Sequence, residues 1–109
     1  MANTFKNAII KNIGTQKIEA ILTQTGVNAT VIGMSFANVT EFPVEIDVLI
    51  KDDSSVEGYY LKGVSIPANG SLKPMLGGEK IIIPSDYSLL VKSNLTDSVD
   101  AIISYVDIS

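Results

Sequence analysis

From Val44 to Lys51 the side chains alternate: Val44, Ile46, Val48 and Ile50 fall on one side of an extended chain, and Glu45, Asp47 and Lys51 on the other. A period of two cannot be laid on one stripe of a helix, so the segment reads as a strand with one face in a core and one in water. The same period, carried by β-branched residues, recurs along the chain, and helix signals are almost absent. Ile32, Met34 and Phe36 alternate with small residues, which predicts those three on a packed face and a small-residue face closely covered by backbone. The segment from Val99 to Ile108 is apolar on both faces, which predicts a central strand or one covered by another subunit.

Turn chemistry punctuates these segments at Thr25-Gly26-Val27-Asn28, Pro67-Ala68-Asn69-Gly70, Pro84-Ser85-Asp86 and elsewhere. Strands are predicted near residues 7–13, 17–24, 29–38, 43–52, 58–65, 70–74, 79–83, 87–93 and 98–108. Such spacing, with no helical segment between, reads as an antiparallel sandwich or small barrel rather than a βαβ fold. The expected fold class is all-β: one antiparallel β-sandwich domain over residues 1–109, immunoglobulin-like or jelly-roll-like, with eight or nine short strands. Ile81-Ile82-Ile83 is flanked by Glu79-Lys80 and Pro84, a charge pair and a proline that stop edge-to-edge pairing, so this strand belongs near an edge.

Composition removes whole classes of chemistry. The chain has no histidine, cysteine or tryptophan, and its basic residues are all lysine. Thiol nucleophiles, disulfides, zinc fingers and imidazole bases are therefore excluded. A net charge of −4 argues against a polyanionic partner such as nucleic acid. Polar Asn3, Thr4, Lys6 and Asn7 interrupt the N-terminal segment where a signal peptide needs an apolar run, and no apolar run approaches the length of a membrane span. No membrane association is expected.

Few residues remain as candidates for chemistry. Asp52, Asp53 and Glu57 share one loop and offer hard oxygen ligands, but their order matches no calcium-loop pattern, and they read as a solvated hairpin. Gly77-Gly78 lacks the helix and the Lys-Ser/Thr pair of a phosphate loop and reads as a turn. Asn-x-Ser/Thr triplets begin at Asn28, Asn38, Asn69 and Asn94, all in predicted turns, and read as turn residues rather than glycan acceptors. Tyr59 and Tyr60 point to opposite faces of a strand; the exposed one, with Phe42, offers either a sugar-stacking platform or a subunit contact. No catalytic, cofactor or metal site is expected, and the chain reads as non-enzymatic.

The stretch Ala29-Thr30-Val31-Ile32-Gly33-Met34-Ser35-Phe36-Ala37-Asn38 is followed by Tyr59-Tyr60-Leu61-Lys62-Gly63-Val64-Ser65-Ile66-Pro67 and Gly70-Ser71-Leu72. Together with Gly77-Gly78-Glu79-Lys80-Ile81 and Ser98-Val99-Asp100-Ala101-Ile102-Ile103-Ser104, it resembles small structural proteins of tailed bacteriophages. Pro84, where a Gly-Asp turn is expected, departs from the pattern. The resemblance implies a β-sandwich virion protein that assembles as a symmetric oligomer on the capsid surface or in the collar, neck or tail apparatus. It would be built in the host cytoplasm and would act by packing against copies of itself and other virion proteins. Phe42, Tyr59, Tyr60, Met75 and Leu76 are its candidate contacts. An acidic, arginine-free chain is expected away from packaged DNA. The alternative is a small carbohydrate-binding module that presents Tyr59, Tyr60 and Tyr87 to host glycans.

Overall fold

Nine strands form two antiparallel sheets in the computed structural model, which describes residues 3–75 and 78–109. They are β1 (Asn3–Ile13), β2 (Ile18–Leu22), β3 (Asn28–Asn38), β4 (Val44–Lys51), β5 (Glu57–Ile66), β6 (Ser71–Leu72), β7 (Ile81–Ile83), β8 (Ser88–Ser93) and β9 (Val99–Ile108). One sheet runs β1-β9-β3-β6, with β7 also on β3; the other runs β2-β8-β4-β5. β7 pairs with β3 at Ala29 to Val31 and β6 at Phe36 and Ala37, so these two short strands share one interrupted edge position. Counting that position once, one sheet holds the first, last, third and sixth strands and the other the second, penultimate, fourth and fifth. That is the strand order of an eight-stranded jelly roll.

The alternation read from the sequence fills the space between the sheets. Ile13, Val31, Phe36, Ile46, Val48, Ile66, Ile83, Leu89, Val91 and Ile103 have no exposed surface, and each contributes about 1.5–3 kcal/mol by leaving water. β9 is central, between β1 and β3, as its two apolar faces require. Ile81-Ile82-Ile83 forms the edge strand expected of its flanking charges and proline.

Register shifts occur in several ladders, and two of them bear on the outer faces. Between Val31 and Gly33 the β3–β9 register shifts, so Ile32 and Gly33 together oppose Ser104. Met34 and Phe36 are buried as expected, but Ile32 is turned to the opposite, outer face, where it is 44% exposed. The small-residue side of β3 is correspondingly open: a Cβ built on Gly33 meets nothing within 4 Å. In β5, Gly63 adopts φ 62° at a register shift against β4, and its N–H donates to Asp47 Oδ1 at 2.7 Å.

The ends of the sandwich are closed by side chains from the predicted turns. Buried Asn38 donates through Nδ2 to the carbonyls of Phe42, Ile66 and Pro67 (2.7, 3.1 and 3.1 Å) and accepts from Thr40 N–H and O–H at Oδ1. Asn94 Oδ1 accepts from Glu45 N–H and Asn28 Oδ1 from Ser85 N–H, while Asn69 takes the left-handed conformation at φ 56°. All four triplet asparagines thus serve the chain's own turns.

Candidate functional site

Ladder register sets the side chains on the outer face of the β1-β9-β3 sheet into rows. Phe5, Val106, Thr30 and Ile82 stand side by side in one row. Asn7, Ser104 and the bulged Ile32-Gly33 pair form the next, and Ile9, Ile102 and Ser35 the one after. Phe5 is 76%, Ile9 70%, Ile82 54% and Ile102 50% exposed, so with Ile32 five large apolar side chains share one sheet face. Only Val106, in the middle of the first row, is buried. None of the residues in the three rows is charged. Asn7 and Ser104 satisfy each other, the hydroxyl donating to the amide oxygen at 2.7 Å. The nearest ion pair, Lys6–Asp107 at 2.8 Å, alternates to the other side of the sheet, and its hydrogen bond raises the Lys6 pKa.

The outer face of the second sheet is built differently. Leu49 and Leu90 oppose each other on it and lie outside the inter-sheet core, yet both are buried. Above them runs a charged and aromatic layer. Lys62 Nζ sits 4.6 Å from the centroid of Tyr59, the neighbour of Leu49. Lys17, before the end of β2 that pairs with Val91, reaches Glu57, in the row of Lys51, Ser88 and Leu22. These two residues stand at diagonal corners of the sheet, and its twist and coil bring them together. One face of the sandwich thus carries its own cover, and the other does not.

The contacts expected from the sequence are scattered. Tyr59 is half exposed, but one side of its ring is taken by Lys62. Tyr60 turns inward against the core and donates to Glu79 Oε1; burial first, and then that bond, push its phenol up to about 12. Met75 and Tyr87 also pack against the core, and Leu76 and Gly77 lie outside the described residues. Phe42 is exposed beside the end of β4 where Val44 pairs with Ile66, whereas Tyr59 pairs with Leu49 at the other end. Seven residues of β5 separate those positions, roughly 20 Å, so Phe42 and Tyr59 form no common platform. The acidic loop is likewise committed: Asp52 Oδ1 accepts from the N–H groups of Ser54 and Val56, and Glu57 turns to Lys17. Among the described residues, no three acidic side chains converge to hold a metal.

Sequence reasoning named none of Phe5, Ile9, Ile32, Ile82 and Ile102 as a contact residue. Their signal was present in the two apolar faces of β9 and in the i, i+4 spacing of Phe5 and Ile9, which places both on one side of a strand.

These features define a jelly-roll sandwich with a filled interior and, on one outer face, three adjoining rows without a charged side chain. No family model and no curated protein matches the chain. Among solved structures, a hydroquinone 1,2-dioxygenase from Sphingomonas sp. TTNP3, with 4-hydroxybenzoate bound, aligns at a TM-score of 0.23 and 12% identity. The alignment covers 94% of this chain and 59% of that enzyme. A likeness at that score bears on neither fold nor activity.

Proposed function

We propose that the chain is a structural assembly protein of the tailed-bacteriophage virion type. It works by packing against copies of itself and other virion proteins, on the capsid surface or in the collar, neck or tail. The observation that carries the assembly role is the group of exposed apolar side chains, Phe5, Ile9, Ile32, Ile82 and Ile102, in three uncharged rows of the β1-β9-β3 sheet. Contiguous exposed apolar surface of this kind marks interaction sites, because leaving it in water forgoes about 25 cal/mol per Å². The virion setting rests on the sequence resemblance. Jelly rolls occur in viral capsid proteins, and also in lectins and cupins, so the fold admits this role by analogy without selecting it. The glycan-binding alternative has no specific support, since Tyr60 and Tyr87 pack inward and Tyr59 is engaged by Lys62.

The test is the composition of virions of the phage that encodes the chain. Mass spectrometry should detect it in purified particles in fixed proportion to the capsid protein, and a reconstruction should place its apolar face against another subunit. Its absence from purified particles would overturn the virion role.

A further inference from the structure

We infer that the occupant of the apolar face is a second copy of this chain, packed face to face about a two-fold axis lying along the row Asn7, Ser104 and Gly33. The inference rests on the assembly reading above and names the partner of that surface.

Charge is the first argument. The chain carries −4 overall, so two copies repel unless they meet where neither bears charge. The rows of Phe5, Asn7 and Ile9 are such a region, and the Lys6–Asp107 pair is turned away from it. Self-association there sets no like charges opposite one another, and leaves no charged side chain to be desolvated without a partner. The second sheet, with its Lys17–Glu57 strap and Lys62, lacks this property.

Pattern is the second. The row of Asn7, Ser104 and Ile32-Gly33 lies between the Phe5 and Ile102 rows, so a two-fold axis along it lays the Phe5 row of one copy over the Ile102 row of the other, and the reverse. Strand by strand, Phe5 then lies over Ile9, Val106 over Ile102 and Thr30 over Ser35, and the central row holds the open notch at Gly33. On the axis Ile32 faces its own copy beside the polar pair, where the Asn7–Ser104 bond already satisfies the serine hydroxyl and Asn7 keeps an amide N–H to give across the axis.

Gly33 gives a clean probe. Its backbone is not left-handed and a Cβ there meets nothing, so Gly33→Lys leaves the monomer fold intact while setting a charge at the centre of the proposed contact. Native mass spectrometry and sedimentation of the full chain should show a dimer for the natural sequence. The dissociation constant should rise about 30-fold or more in Gly33→Lys and in Ile102→Asp, with the far-ultraviolet circular dichroism unchanged. Lys62→Glu, on the opposite sheet, should leave the dimer intact. A natural chain that stays monomeric at high micromolar concentration overturns the self-pairing, as does a dimer that survives both face substitutions or dissociates only in Lys62→Glu. Detection of the chain in virions is independent of these results. A monomer found in particles with its face on another protein would sink this inference and leave the assembly role standing.

Discussion

Ile9 and Ile102 stand directly opposite each other on β1 and β9, and both are open to solvent. The next residue along, Ile103, has no exposed surface at all. Two adjacent isoleucines on one strand are thus held for different purposes, and stability measurements separate them. At concentrations where the chain is monomeric, Ile103→Ala should lower the unfolding free energy by about 2–5 kcal/mol, because it opens a cavity between the sheets. Ile102→Ala should change it by less than about 1 kcal/mol. Equal losses in denaturant titrations of the two variants would contradict the assignment of faces.

Asn38 ties the β3–β4 connection to the end of β5. Asn38→Ala leaves the carbonyls of Phe42, Ile66 and Pro67 without their shared donor, and should cost about 2–4 kcal/mol. Asn38→Asp should cost more at neutral pH, because it turns an acceptor toward three acceptors, and should recover partly in acid as the new carboxyl gains a proton to donate. Urea midpoints of both variants at pH 7 and pH 4 test this; equal midpoints for the two at pH 7 would refute it.

Tyr60 links stability to alkaline pH. Its phenol is raised from an unfolded value of 10.0 to about 12, so the folded state holds the proton more tightly. The corresponding stabilisation is fully present below pH 10 and is lost as pH rises from about 10 through 12. The natural chain should lose stability over that interval more steeply than Tyr60→Phe, and a phenolate absorbance transition near pH 12 should vanish in the variant. Parallel profiles would show that the Tyr60–Glu79 contact does not form.

Ser88 is buried, and its Oγ has no hydrogen-bond partner among the described residues. Such a hydroxyl is desolvated without compensation, so Ser88→Ala should leave the chain as stable as before or stabilise it by about 1 kcal/mol. A loss above that size in thermal or urea unfolding would mean that the hydroxyl is satisfied.

Period-two alternation made the strands legible, and two apolar faces made β9 legible as central. It could not say which outer face stays open, because cover comes from register: Leu90 is as apolar as Ile102, but only Leu90 lies beneath a strap whose ends, Lys17 and Glu57, are 40 residues apart. Ile32 was misread because one bulge reverses the alternation, and only the pairing with Ser104 reveals it. Phe5 escaped because β1 starts at Asn3 rather than near residue 7; its first residues are mostly polar and gain strand structure from β9, not from their own pattern. Composition pairs Phe42 with Tyr59 as the exposed aromatics, but the β4–β5 ladder sets them at opposite ends.

The pairing of β1 with β9 sets the order in which the molecule can be made. Asn3 sits against Ile108, and β9 is also the strand that joins β1 to β3, so the β1-β9-β3 part of the sheet does not close until nearly the whole described chain has left the ribosome. Sheets closed by such distant segments fold slowly, because loop entropy must be overcome before the pairing returns any energy. Until β9 arrives, β1 and β3 have no ladder between them, and the rows of Phe5 and Ile9 do not exist as a surface. Only a chain in which β9 has paired with both β1 and β3 can present that face.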